Sequence, residues 1–151
     1  PSGAGYHQAK LGEHLSIIRG SSGRRFDGIS MLIVEDDVDT RSFMRDALTD
    51  EGATVHAYAD ARSALELALK KPVDLAIVDW GLPRIDGEGA AAALRSLIGD
   101  KLPVILVTAQ PRPGAKAESM NASAYLAKPF SLDRFLDVID ACLEQRARPD
   151  S

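Results

Sequence analysis

The chain has 151 residues, of which 45% are hydrophobic, which is enough for one domain with a sizeable core and too few for two full domains. Its 22 acidic and 18 basic residues give a net charge of −4, which argues against nucleic-acid binding, since that needs a basic stripe. The single cysteine excludes an internal disulfide. No apolar stretch approaches the roughly 20 residues of a membrane span, and no signal-peptide pattern is present. We therefore expect a cytoplasmic globular protein without membrane contact.

The first 28 residues differ in composition from the rest. They include six glycines and end in the polar run GSSGRRFDG, so we interpret residues 1–28 as an N-terminal tail or linker. Within it, Leu11, Leu15 and Ile18 recur at steps of four and three residues, which predicts a short amphipathic turn. Because the chain does not begin with Met, we expect it to be an excised piece.

From residue 29 onward, short apolar runs alternate with segments of helical periodicity. Strands are predicted at residues 29–34, 53–58, 73–79, 102–109 and 122–127. Helices are predicted around residues 43–48 and at 61–71, 87–99 and 131–145. Continuous apolar strands separated by single helices are typical of a parallel sheet covered on both faces. Residues 29–145 are therefore predicted to form one doubly wound α/β domain with a five-stranded parallel sheet, followed by a C-terminal tail at 146–151.

Helix ends and apolar stripes complete this prediction. Asp60 and Ser131 are predicted to be N-caps, and Gly52 suits the end of the first helix. The predicted buried stripes are Phe43, Met44, Ala47 and Leu48; Ala64, Leu65, Ala68 and Leu69; and Leu132, Phe135, Leu136, Ile139, Cys142 and Leu143.

The segment between Thr108 and Tyr125 contains two prolines, Pro111 and Pro113, which leave at most two helical turns before Asn121. A helix in this segment is therefore predicted to be short and mobile.

Polar groups follow four of the predicted strands. The first strand ends in Glu35, Asp36 and Asp37, and the others end in Asp79, Thr108 and Lys128. In an open parallel sheet, functional groups gather beyond the carboxyl ends of the strands. We therefore expect these side chains to meet at one edge.

Clustered carboxylates repel one another, and a hard divalent cation such as Mg²⁺ relieves the repulsion. A nearby lysine and hydroxyl suit a phosphoryl group, whose oxygens need neutralising. An aspartate placed between the metal and the lysine can be the nucleophile. The chemistry that fits is acceptance of a phosphoryl group on a carboxylate, although an isolated Asp79 would otherwise be interpreted as a cap or surface acid.

The segments VEDDVDTR, VDWGLPRIDG, LPVILVTA and ASAYLAKPF, in this order, resemble the receiver domain of two-component response regulators, the CheY-like family. The resemblance covers about residues 29–145 and implies a flavodoxin-like (βα)5 fold. It implies that Asp79 is the phosphoacceptor. It further implies that Glu35, Asp36 and Asp79, with the backbone carbonyl of Gly81, hold Mg²⁺ or Mn²⁺, Asp36 being a direct ligand.

By the same resemblance, Thr108 and Tyr125 match the switch pair, Lys128 contacts the phosphoryl group, and the Lys128–Pro129 bond is cis. Asp37 remains either an alternative ligand or a cap of the first helix. Gly81 has no side chain to orient an attacking water, which predicts a long-lived phosphoryl group. Gln110, two residues past Thr108, could supply that function instead.

Three other functions fit the residues less well. A haloacid-dehalogenase-type phosphatase, an enzyme with an Asp nucleophile, usually has a second Asp where this chain has Gly81, so turnover catalysis is disfavoured. A nucleotide-binding site needs a glycine-rich loop where this chain has the acidic EDDVD. A degenerate receiver acting only as an interaction module is disfavoured by the intact acid, threonine and lysine set.

The sequence therefore predicts a phosphoacceptor switch rather than an enzyme. A histidine kinase or phosphotransfer protein would donate the phosphoryl group, and a downstream protein partner of unknown identity would contact the last helix and the strand before it. The expected origin is either a stand-alone regulator or a receiver excised from a longer protein such as a hybrid histidine kinase, with residues 1–28 as the remaining linker.

Overall fold

The computed structural model describes residues 24–79, 102–109 and 122–147, together with residues 96 and 114. The strands are β1 Ser30–Val34, β2 Thr54–Tyr58, β3 Leu75–Asp79, β4 Val104–Thr108 and β5 Ala124–Ala127, and the helices are α1 Val38–Asp50, α2 Ala61–Lys70 and α3 Leu132–Ala147. Each strand begins one or two residues later than predicted. Ser96 is helical, but the remainder of the predicted helix at 87–99 lies outside the described residues, as does most of the segment 111–121.

The strands form one five-stranded sheet in the order β2-β1-β3-β4-β5, with parallel pairing throughout. This is the flavodoxin-like strand order, with the switch point between β1 and β3. The predicted fold class is therefore confirmed. In the part of the chain that the structure describes, no helix combines the length and apolarity that a bilayer crossing requires.

The core lies on both faces of the sheet. Every residue of β3 and β4 is buried, as expected for central strands covered on both sides. Met31 and Ile33 pack with α1 and α3 on one face, while Leu32 and Val34 pack with α2 on the other. Strand alternation thus assigns odd-numbered β1 positions to the α1 and α3 face.

The prediction of burial is wrong for three residues. Leu132 is 45% exposed, Phe43 is 41% exposed and Leu69 is 69% exposed. Leu132 and Leu69 lie in the terminal turns of their helices, which extend past the buried stripe, and Phe43 lies at the margin of the stripe centred on Met44. Periodicity predicts which face of a helix is apolar, but not how far along the helix the neighbouring sheet extends.

The predicted caps are present. Asp60 accepts a hydrogen bond from the Ser63 amide at 2.8 Å, and the Ser131 hydroxyl accepts one from the Arg134 amide at 3.1 Å. Gly52 ends α1 with a φ of +95°, in the left-handed region that favours glycine. A Cβ at this position would also force the exposed Asp27 carboxylate to move, so the positive φ is what favours glycine here.

The N-terminal segment 24–28 packs against the domain, although its composition predicted a tail or linker. Phe26 is only 1% exposed and belongs to the core on the α1 and α3 face. Its amide donates to the Glu51 carbonyl at 2.8 Å, which ties the segment to the turn after α1. A single large apolar side chain in a glycine-rich and charged run gives no periodicity, so the sequence pattern missed it.

Candidate functional site

The sheet register brings four predicted site residues to the carboxyl edge of the sheet. Val34 is the partner of Val78, so Glu35 follows β1 at the level where Asp79 ends β3. Asp79 is the partner of Val107, and Thr108 is the partner of Ala127, so Lys128 follows β5 at the same edge. The predicted meeting of these groups at one edge is thereby borne out by the pairing of the strands.

Three carboxylates form the centre of the site. One oxygen from each of Glu35, Asp36 and Asp79 lies within 4.8 Å of the other two. Glu35 is fully buried, Asp79 is 6% exposed, and Asp36 is exposed to solvent. Among the described residues, the cluster therefore reaches solvent through Asp36, where a small ligand could approach.

Lys128 is the cation of the site. Its Nζ lies 2.9 Å from Glu35 Oε1 and 3.7 Å from Asp79 Oδ1, so one ammonium group faces two carboxylates. Burial of the ammonium opposes its charge, but these ion pairs outweigh that effect and hold the pKa of Lys128 above its ordinary value. Lys128 therefore stays charged and partly neutralises the cluster.

Glu35 is a fully buried carboxylate with two close partners. Its Oε2 accepts a hydrogen bond from the Asp37 amide at 3.0 Å. Its Oε1 forms an ion pair with the Lys128 ammonium at 2.9 Å. Burial raises the pKa of Glu35 to about 7, and the Asp79 charge adds to this against the opposing effect of Lys128.

These observations fit a divalent cation. Oxygens that share one Mg²⁺ are separated by at most about 4 Å, since each lies about 2.1 Å from the ion, and the cluster is only slightly wider. A buried carboxylate whose charge is only partly neutralised is the type of ligand that such an ion takes. Glu35, Asp36 and Asp79 could hold it, whereas the Gly81 carbonyl lies outside the described residues.

Asp37 caps α1. Its carboxylate accepts hydrogen bonds from the Thr40 amide at 2.8 Å and from the Thr40 hydroxyl at 2.6 Å. These two bonds lower the pKa of Asp37. Of the two alternatives left open by the sequence, the structure thus supports the cap, and Asp37 is not among the clustered carboxylates.

Arg41 is a residue that sequence reasoning missed. Its guanidinium donates from one nitrogen to the Glu35 carbonyl at 2.9 Å and to the Asp36 carbonyl at 3.4 Å. It therefore fixes the backbone that presents both acids. Its position four residues after Asp37, on the same side of the first turn of α1, was the available signal.

Thr108 and Tyr125 lie on neighbouring strands but differ in exposure. Thr108 is buried at 1% exposure at the end of β4, and its carbonyl accepts a hydrogen bond from the Lys128 amide at 2.8 Å. Tyr125 lies at 42% exposure on β5, and its ring borders Gly114. Gln110 lies outside the described residues, and the roles predicted for Thr108 and Tyr125 remain predictions.

An apolar groove opens beside Lys128, between α1 and the β5–α3 connection. It measures about 520 Å³ and is lined by Asp39, Thr40, Phe43, Ala109, Lys128, Pro129 and Phe130. Phe43 and Phe130 face each other with ring centroids 6.1 Å apart. The Lys128–Pro129 bond is cis, as the resemblance implied. The sequence missed this groove because its walls come from segments far apart in the chain.

Comparison with known proteins agrees with the fold. The response regulator receiver domain family matches residues 31–140. This chain belongs to that family. The receiver domain is 35% identical over 124 residues to the response regulator MprA of Mycolicibacterium vanbaalenii, and 35% identical over 122 residues to MprA of Mycobacterium leprae. These matches cover 81% and 80% of this chain and 53% of each relative, so the chain spans about half the length of these relatives.

Solved structures give the same result. The chemotaxis protein CheY4 of Vibrio cholerae is 28% identical and superposes with a TM-score of 0.70, over 76% of this chain and 98% of that protein. NtrX of Brucella abortus is 28% identical with a TM-score of 0.72, over 78% of this chain and 27% of NtrX. The receiver domain is therefore a module of two-component signalling, a system in which response regulators interact with histidine kinases.

Proposed function

We propose that this receiver domain is a phosphorylation switch that accepts a phosphoryl group on Asp79 in the presence of Mg²⁺ or Mn²⁺. One observation carries the proposal: the Asp79 carboxylate lies 3.7 Å from the Lys128 ammonium, within a cluster of three carboxylates. A nucleophilic carboxylate next to a fixed cation can receive a group whose oxygens are negatively charged.

The position of the Lys128 ammonium supports Asp79 as the nucleophile. Lys128 contacts Glu35 at 2.9 Å and Asp79 at 3.7 Å, so its ammonium lies close to the position that the phosphoryl oxygens would occupy. In the transfer, a bond forms between an Asp79 carboxylate oxygen and phosphorus. The bond from phosphorus to the donor breaks, and the donor leaves with the bonding electrons.

The metal would be held by Glu35, Asp36 and Asp79, and by the Gly81 carbonyl as the family resemblance implies. When bound, the ion supplies positive charge that offsets the carboxylates and the incoming phosphoryl oxygens. Arg41 contributes by fixing the Glu35 and Asp36 carbonyls. The full burial of the Glu35 carboxylate, which disfavours its negative charge, supports this assignment.

The phosphodonor is a histidine kinase or a phosphotransfer protein. The groove beside Lys128 gives such a partner an apolar surface next to Asp79, since Phe43 is 41% exposed on its wall. Phosphorylation then alters Thr108 and Tyr125 and, through them, the surface offered to a downstream protein. Whether the parent protein is a stand-alone regulator or a hybrid kinase does not change this chemistry.

Replacing the acceptor tests the proposal. The Asp79→Asn variant removes the nucleophile and keeps the shape, so incubation with acetyl phosphate and Mg²⁺ should add no phosphoryl group, whereas the native chain gains one. The readout is the mass of the intact protein. Asp39→Asn is the matched control, because Asp39 is exposed beside the same groove but is not among the clustered carboxylates.

Phosphorylation of Asp79→Asn at the native rate would show that the acceptor is another residue. Continuous release of inorganic phosphate from phosphomonoesters by the native chain, abolished in the same variant, would instead identify a phosphatase.

A further inference from the structure

The turn between β1 and α1 carries two of the three clustered carboxylates on adjacent residues, Glu35 and Asp36. Glu35 is fully buried, whereas Asp36 is exposed to solvent. Both carboxylates can reach one shared cation only while the backbone of this turn keeps its conformation, because rotation of the peptide between the two residues would move them apart. The affinity of the cluster for a divalent cation therefore depends on the contacts that hold this backbone.

Backbone hydrogen bonds of the strand and the helix hold the two ends of the turn. At its start, the Glu35 amide donates to the Tyr58 carbonyl at 3.0 Å. At its end, the Arg41 amide donates to the Asp37 carbonyl at 2.9 Å. The carbonyls of Glu35 and Asp36 lie between these two bonds, and both accept a hydrogen bond from one nitrogen of the Arg41 guanidinium, at 2.9 and 3.4 Å. The side chain of Arg41 thus holds the middle of the turn.

The location of Arg41 in α1 is unfavourable for a basic side chain. It lies in the first turn of the helix, where the partial positive charge of the backbone amides disfavours a cation. Arg41 is also half-buried, whereas Arg45, one turn later, is exposed and pairs with Asp46. Hydrogen bonds from a charged donor are stronger than neutral ones, so the two carbonyl contacts offset these costs. They account for an arginine at this position.

Arg41 acts on a cation bound to the cluster in two opposite ways. Its positive charge repels Mg²⁺, which across about one Debye length, about 8 Å at physiological salt, weakens binding by a factor of a few. Its hydrogen bonds hold the ligands in place before the ion arrives, which strengthens binding. Groups that orient metal ligands from outside the coordination sphere typically contribute roughly 10- to 100-fold in affinity. The positioning effect should therefore exceed the repulsion, and the sign of the net effect distinguishes them.

We propose that Arg41 is a positioning residue for the carboxylate cluster, which strengthens Mg²⁺ binding by holding the backbone of Glu35 and Asp36. It acts through these two carbonyls and does not need to contact the ion. The inference rests on the proposed function in one respect, that the cluster binds a divalent cation, and it does not require phosphorylation of Asp79.

A Mg²⁺ titration of the full chain, followed by Trp80 fluorescence without any phosphodonor, tests the proposal. Arg41→Met removes the hydrogen-bond donors and the charge but keeps an apolar stem, so it should raise the dissociation constant for Mg²⁺ about tenfold. Arg45→Met is the matched control, because it removes one positive charge from the next turn of the same helix. Its dissociation constant should be unchanged or slightly lower.

Amide hydrogen exchange of the metal-free protein gives a second measurement that does not depend on the ion. The Asp37 amide, which donates to Glu35 Oε2 at 3.0 Å, should exchange about tenfold faster in Arg41→Met, while the amides of β1 and β3 keep their native rates. A dissociation constant that is unchanged or lower in Arg41→Met would overturn the proposal. Equally, it would be overturned by an unchanged Asp37 exchange rate, or by faster exchange throughout the sheet, which would show a general role in stability.

Phosphorylation by acetyl phosphate separates this inference from the proposed function. With Mg²⁺ well above the dissociation constant of the variant, Arg41→Met should be phosphorylated at close to the native rate. A rate that stays low there would place Arg41 in the transfer step itself and contradict a purely positioning role. Weaker Mg²⁺ binding by Arg41→Met, together with no phosphorylation of the native chain, would support the positioning role and contradict the phosphoacceptor. Equal Mg²⁺ affinities with normal phosphorylation would do the reverse.

Discussion

Asp36 and Asp37 are adjacent in the chain, yet the structure gives them different surroundings. Asp36 offers an oxygen to the carboxylate cluster with Glu35 and Asp79. Asp37 turns to the Thr40 amide and hydroxyl and caps α1. Both are exposed acids of the same type, so the distinction comes from backbone direction at the end of β1.

This difference predicts opposite effects of two alanine variants. Asp36→Ala should weaken Mg²⁺ binding markedly and leave stability nearly unchanged, since it removes a proposed ligand but none of the side-chain hydrogen bonds found among the described residues. Asp37→Ala should cost about 1 kcal/mol of stability through loss of the cap, with little change in metal affinity. Fluorescence of Trp80, which follows Asp79 in the sequence, measures metal binding, and urea denaturation measures stability.

Equal losses of metal affinity in the two variants would contradict the assignment of Asp36 as the ligand and Asp37 as the cap. Glu66→Ala, an exposed acid on α2, is the matched control for loss of one negative charge.

At the scale of elements, the N-terminal segment 24–28 behaves as part of the domain. Phe26 packs with Met44 and Leu48 of α1 and with Val138 and Ile139 of α3 in one core cluster. Its amide bonds to the Glu51 carbonyl, and Asp27 lies against Gly52. The segment therefore joins the end of α1 to α3 at the edge of the sheet where β1 begins.

Truncating Phe26 should destabilise the whole domain. We expect Phe26→Ala to lower the free energy of unfolding by about 3–5 kcal/mol, the usual cost of emptying a fully buried aromatic site. Arg24→Ala, two residues earlier and exposed, should change it by less than about 0.5 kcal/mol. Urea denaturation followed by circular dichroism compares the two, and a loss below about 1 kcal/mol for Phe26→Ala would mean that the segment is not part of the core.

The elements that sequence patterns predicted well are those with strong periodicity or clear caps. The continuous apolar runs of β3 and β4 and the caps at Asp60 and Ser131 are present as predicted. Phe26 could not be predicted, because burial of a single side chain in a polar run depends on the space left between α1 and α3. That space is a property of the assembled sheet and not of any local pattern.

At the scale of the whole molecule, the site exists only because distant strands share one edge. Glu35 comes from the end of β1, Asp79 from β3 and Lys128 from the end of β5, and the register aligns them. Their order in the chain and their residue types were enough to predict the cluster. The groove at Phe43 was not predictable, since it depends on how α1 sits against the β5–α3 connection.

Buried negative charge in the carboxylate cluster should lower the free energy of unfolding of the metal-free protein. Burial disfavours the charge on Glu35, so a neutral isostere should be tolerated without metal. We expect Glu35→Gln to melt no lower than the native chain in EDTA. With Mg²⁺ at about 100 times its dissociation constant, the native chain should gain about 2.7 kcal/mol, or roughly 10 °C, and the variant less than half of that.

Differential scanning fluorimetry measures the melting temperature in EDTA and its increase on addition of Mg²⁺. A Mg²⁺ titration in Ca²⁺-free buffer separates specific binding from ionic strength, for which NaCl at equal ionic strength is the control. An equal Mg²⁺ response in Glu35→Gln and the native chain would show that the ion does not bind at this cluster.

The position of Cys142 has a practical consequence for spectroscopy. It is the single cysteine of the sequence, it is 4% exposed within the core, and burial raises the pKa of its thiol. A thiol that is both inaccessible and protonated reacts slowly with maleimides, because the thiolate is the reactive form. One cysteine introduced at an exposed position would therefore take a dye or a spin label selectively, without replacement of the native residue.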